Sequence, residues 1–106
     1  MAKFLTIGYG DPAGYERTDA QVRDAAHAHD ARLCDEGVLM GIAGPAVQVR
    51  NHDAAGVTTT EGPFMSSGLP VAGFSVIEAE TLEEVIGMVS GTPCAVAHGV
   101  VEAATP

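Results

Sequence analysis

Four histidines, fourteen carboxylates and two cysteines are the groups with which this 106-residue chain can do chemistry. His29 and Asp30 stand side by side in a stretch with helical spacing. On that spacing His29 falls on the apolar face, beside the small residues Ala25 and Ala26, so a pocket between helix and sheet would hold a neutral imidazole able to act as a general base. The competing reading is a buried histidine whose ring nitrogens are satisfied by backbone or Asp partners. Asp30 lies on the edge of that face and reads as a solvated charge. His98 falls in the last apolar segment between Ala97 and Gly99. Gly99 permits close approach of a ligand or a neighbouring backbone there. Glu61 ends a Thr-rich segment just before Gly62-Pro63. A carboxylate so placed can take a proton or orient a histidine, or it can simply hold turn N–H groups. His29, His98 and Glu61 are therefore the candidate catalytic residues.

Other chemistries find no support. His27 and His29 are two apart on a helix and point about 160° from each other, which does not suit one metal ion. Cys34 and Cys94 have no CxxC spacing and read as reduced, structural thiols. No phosphate loop or dinucleotide fingerprint is present, so no cofactor is implied. The formal charge is −9, and Lys3, Arg17, Arg23, Arg32 and Arg50 form no basic stripe. Nucleic acid and anionic membrane surfaces are poor partners for such a chain. No apolar run approaches the ~20 residues of a membrane helix. The N-terminal Met-Ala-Lys-Phe-Leu-Thr-Ile lacks the pattern of a signal peptide, so the expected compartment is the cytoplasm.

The elements that must position these groups follow from periodicity and turn chemistry. Lys3 to Tyr9 reads as a strand ended by Gly10-Asp11-Pro12, and Asp11 to Arg17 as a loop. Thr18 is the expected N-cap of a helix running to about Glu36, with Gly37 as its C-terminal glycine. Its apolar stripe of Val22, Ala26 and Leu33 is thin, and His27 and Cys34 sit toward its flank. Val38 to Arg50 reads as a second strand interrupted at Gly41, Gly44 and Pro45. Asn51-His52-Asp53 is a turn and Ala55 to Thr60 a third strand. Ala72 to Glu78 is a fourth. Thr81 caps a second helix to about Ser90, with Leu82, Val85, Ile86 and Val89 as its buried face. Ala95 to Ala103 closes the chain as a strand, placing His98 mid-strand.

One domain spans 1–106. Its order is that of an α+β, ferredoxin-like βαββαβ sandwich with an extra β-hairpin that extends past the sheet. Two helices on one face leave the other face bare and apolar. The simplest remedy is a second copy packed sheet to sheet with two-fold symmetry, so a homodimer is expected.

Several stretches taken together resemble the YCII-related (DGPF-type) family. Thr60-Glu61-Gly62-Pro63-Phe64 resembles its naming motif, with Glu61 where the motif has Asp. Gly73-Phe74-Ser75-Val76-Ile77-Glu78 is similar to its Gly-Phe strand, and Thr81-Leu82-Glu83-Glu84-Val85 to the opening of its second helix. Ile7-Gly8-Tyr9-Gly10-Asp11 and His98-Gly99-Val100-Val101-Glu102 resemble its first and last strands. The resemblance implies a ferredoxin-like subunit of a dimeric α+β barrel. It places the family's helix histidine near Ala26, beside His27, and leaves the aspartate partner without a clear match, Gln48 lying in that region. Some relatives act on chlorinated hydroxyquinols as dehydrochlorinases, and fold-level cousins include muconolactone isomerases. The expected function is a small lyase or isomerase performing proton transfer or elimination on a small cyclic substrate. The alternative is a non-catalytic small-molecule-binding or structural dimer.

Overall fold

Alternation along the first strand decides the layers. In the computed structural model, which describes residues 1–106, β1 (Ala2–Tyr9) buries Phe4, Thr6 and Gly8 on one side and turns Lys3 and Leu5 outward on the other. The chain continues through α1 (Pro12–Glu16), α2 (Ala20–Asp35), β2 (Leu39–Ile42), β3 (Val47–Arg50), a 3-10 turn (His52–Ala54), β4 (Thr58–Glu61), β5 (Val71–Ala79), α3 (Leu82–Val89), α4 (Pro93–Val96) and β6 (Val100–Ala104). The main sheet has the order β2-β5-β1-β6 and is antiparallel throughout. Each long helix carries the chain over one intervening strand: α2 from β1 past β5 to β2, α3 from β5 past β1 to β6. This interleaving is the ferredoxin-like α+β arrangement. No helix is long and apolar enough to cross a membrane.

The register places Phe4 opposite Ile77, Thr6 opposite Ser75 and Gly8 opposite Gly73 on the helix-covered face. The core is Phe4, Ile77, Ala79, Val85 and Val89, packed between the sheet and α3. α3 starts at Thr81, whose hydroxyl accepts from the Glu84 N–H, and Glu83 and Glu84 complement the helix N-terminus. Val85 and Val89 are its buried residues, whereas Ile86, expected inward, is half-exposed. α2 ends at Gly37 (φ +96°) in a Schellman motif, with Gly37 N–H on Cys34 O and Val38 N–H on Leu33 O.

Four local readings are corrected. The segment after β1 is a helical turn, not a loop: Asp11 caps it by accepting from Gly14 N–H at 2.9 Å, and Pro12 occupies the first turn, where its missing N–H is harmless. Thr18 does not cap α2. Its hydroxyl donates to Gly14 O at 2.8 Å, and Asp19 takes the N-cap position. The expected strand 38–50 is two strands, broken across Ala43–Ala46 where Gly44-Pro45 cannot continue a ladder. The stretch 95–103 is not one strand either. Pro93 starts the short helix α4, and His98 adopts the left-handed region (φ +62°) before β6 begins at Val100.

The extra hairpin is present and separate. β3 and β4 pair only with each other. They lengthen the molecule to 51 Å with a radius of gyration of 15.6 Å, against about 13 Å for a compact domain of this length. Gly62 (φ +99°) bends the chain out of β4, a conformation costly for any residue with a Cβ.

Candidate active-site cleft beneath the first long helix

α2 buries only Ala26 and Leu33. Two small contacts cannot fill the space over β1, β5 and β2, so a cleft of about 710 Å³ opens between α2, the sheet and α4. Its floor includes Thr6 and Ser75, directly opposed and hydrogen-bonded hydroxyl to hydroxyl. Met40 and Leu33 supply apolar wall, and His27, Asp30 and Cys94 supply the reactive groups. Cys94 rests directly on the sheet at Gly8: a Cβ there would lie 2.8 Å from its Sγ.

Burial governs the electrostatics. Asp30 is partly withdrawn from water, and desolvation raises its carboxyl above the ordinary value of 3.8, against the opposing pull of His27 and His29. Burial likewise pushes the Cys94 thiol up, and the nearby Asp30 charge adds to it. The thiol is thus held protonated at neutral pH, as suits a structural cysteine. His27 is tied at its outer edge, with Nε2 2.8 Å from the Tyr15 hydroxyl.

The three candidate residues of the sequence lie elsewhere and do not line this cleft. His29 is clamped between helices. Its Nε2 donates to Met88 O at 2.6 Å, its Nδ1 faces Arg32 Nη2 at 3.3 Å, and Gly91 lies against the ring. Both nitrogens are engaged, the arrangement of a structural histidine. His98 is exposed on the left-handed turn beside Gly14, not mid-strand. Gly99 permits the close approach expected of it: a Cβ there would meet Tyr9 O at 2.1 Å. Glu61 is exposed at the end of β4, opposite Val47 on the hairpin. Gln48 ties the hairpin bend instead, donating to Gly62 O at 3.2 Å and accepting from Arg50 Nη2 at 2.7 Å. The exposed His52 lies in the 3-10 turn. No three His, Cys, Asp or Glu side chains come together around a point that would hold a metal ion.

The groups that sequence reasoning set aside, His27 and Asp30, are the ones at the cleft. They are three apart on α2 and therefore share a face.

No protein-family model matches the chain, and no curated protein matches it. Among solved structures it is similar to the 5-chloro-2-hydroxyhydroquinone dehydrochlorinase TftG of Burkholderia phenoliruptrix AC1100, in complex with 2,5-dihydroxybenzoquinone. The identity is 23%, over 94% of this chain and 90% of that one, with a TM-score of 0.48.

Proposed function

We propose that the cleft beneath α2 binds a small cyclic molecule and that Asp30 moves a proton on it. The observation that carries this reading is a cleft of about 710 Å³ with a partly buried carboxyl on its wall whose pKa is raised by desolvation. That volume falls within the range of small-molecule sites. A carboxylate with a raised pKa is a stronger base than a solvated one. In an elimination, the substrate C–H bond breaks and its proton passes to an Asp30 oxygen. The C–H electron pair forms the new double bond, and the leaving group departs with the pair of its own bond. In an isomerisation, Asp30 returns the proton to a different carbon. His29, His98 and Glu61 have no part in this proposal, because none of them lines the cleft.

Thermal-shift screening with small hydroxylated cyclic compounds, followed by turnover assays on the binders, tests it. The expected result is that binders raise the wild-type midpoint by mass action, and that Asp30→Asn retains binding and loses turnover. Turnover at wild-type rate in Asp30→Asn sinks the assignment. The second reading, a non-catalytic binding domain, is favoured by the floor, where the Thr6 and Ser75 hydroxyls satisfy each other. It would be supported by binding without turnover in the wild type.

The functional unit is proposed to be a homodimer. Leu5, Leu39, Phe74 and Val100 stand 41–63% exposed on the sheet face away from the helices. A second copy offers the same apolar face and satisfies both at once.

A further inference from the structure

We propose that Tyr15 is a positioning residue for the cleft: its hydroxyl holds His27 in the Nδ1–H tautomer, so that His27 presents a neutral hydrogen-bond donor beside Asp30. The inference rests on the cleft being the site and assigns a role within it.

The arrangement is built from two elements. α1, capped by Asp11, carries Tyr15 to the side of α2. Arg23 and His27 are four apart on α2 and flank Tyr15 together. The Tyr15 Oη to His27 Nε2 distance is 2.8 Å, and the rings meet edge to face with centroids 5.8 Å apart. The Arg23 guanidinium lies over the Tyr15 ring, 4.8 Å from its centroid, and Arg23 makes no ion pair. Its Nε is buried without a hydrogen-bond partner.

The direction of the hydrogen bond follows from acid–base matching. A phenol O–H, titrating near 10, is a far better acid than the N–H of a neutral imidazole, and an imidazole nitrogen is a far better base than a phenol oxygen. A cation over the ring draws electron density from the hydroxyl and strengthens it as a donor. Tyr15 therefore donates and Nε2 accepts, which leaves the proton on Nδ1. Free histidine in water prefers the opposite tautomer, so the tyrosine selects the rarer one. Nδ1 has no hydrogen-bond partner within the chain, while His27 forms part of the cleft wall.

The consequence is a division of labour. Asp30 takes the proton, and His27 Nδ1–H stabilises the negative charge that then develops on a substrate oxygen. An Nε2–H tautomer would instead aim a lone pair at that oxygen and repel it.

Long-range proton–nitrogen correlation spectra of the ¹⁵N-labelled protein at about pH 9, well above the ordinary histidine value of about 6.5, read the tautomer directly. A His27→Gln difference spectrum identifies the resonances. Wild-type His27 is expected as Nδ1–H, and Tyr15→Phe, which keeps the ring under Arg23, is expected to revert it to Nε2–H. His29 is the internal control: Met88 O requires Nε2–H in both proteins. A wild-type His27 that is predominantly Nε2–H overturns the proposal without any variant, and so does an unchanged Nδ1–H signal in Tyr15→Phe. The readout needs no ligand, so failure to find a substrate would count against the proposed function and leave this test intact.

Discussion

Leu5→Glu is the most informative single perturbation of the proposed assembly. Leu5 lies on β1, one of the two central strands, opposite Val76 on one side and Ala104 on the other. It is 46% exposed, and it faces away from the helices. Full burial of a leucine side chain is worth about 1.5–3 kcal/mol, so covering the exposed half yields about 1 kcal/mol per copy. Replacing it in both copies forfeits about 2 kcal/mol. Two carboxylates must also lose water, at a cost of at least about 1 kcal/mol each. The sum of about 4 kcal/mol weakens association roughly a thousandfold. Leu5→Ala, which loses only the apolar part, weakens it about thirtyfold. Sedimentation across a dilution series reads both numbers. The fold of the single chain supplies the control, because Leu5 contributes little to its own subunit's core. A wild-type chain that sediments as a monomer at tens of micromolar, or a Leu5→Glu chain that associates as tightly as wild type, refutes the reasoning.

Three further outcomes are expected. Gly99→Ala places a Cβ 2.1 Å from Tyr9 O and 2.5 Å from Cys94 O, both backbone atoms that cannot swing aside. It should lower the urea midpoint by the equivalent of about 3 kcal/mol with an unchanged slope. Asp30→Asn tests the electrostatics of the cleft. The folded-state pKa is raised, so the favourable contribution of Asp30 is complete below the ordinary value of 3.8 and is lost as pH rises through the raised value. The variant should therefore melt higher than wild type at pH near 7, with the difference closing as the pH falls through the raised value and gone below 3.8, in paired thermal denaturation. Mass-spectrometric alkylation at neutral pH should label the exposed Cys34 well before Cys94, whose thiol is half-buried and pushed up by burial and by Asp30.

The parts of the fold legible in the sequence are those governed by strong local chemistry. Gly37 ending α2, Thr81 starting α3, and Gly10-Asp11-Pro12 ending β1 each follow from one to three residues. The errors occur where tertiary contact overrides local preference. Thr18 has cap chemistry, yet its hydroxyl is recruited by Gly14 O of the preceding turn. The apolar run before Val100 has strand composition. Pro93 and the left-handed His98 instead fold it into a short helix that roofs the cleft with Cys94. Ile86 and Val85 are equally apolar, and only the direction from which the sheet approaches α3 decides that Val85 is buried.

The same logic explains why the site was only half visible. The small residues Ala25 and Ala26 suggest a pocket beside His29, whereas the cleft under α2 is lined by His27 and Asp30. Ala26 and Leu33 are buried as expected, so α2 keeps its expected rotation. The stripe does not report which neighbour each flank meets: the flank with His29 meets the Met88 carbonyl of α3, and the flank with Asp30 and His27 meets the cleft and Tyr15. Both partners are distant in sequence or lie in a segment that reads as loop, so no helical periodicity reports them. The two clamps also distinguish the histidines chemically. His29 engages both nitrogens with the fold, whereas His27 engages only Nε2.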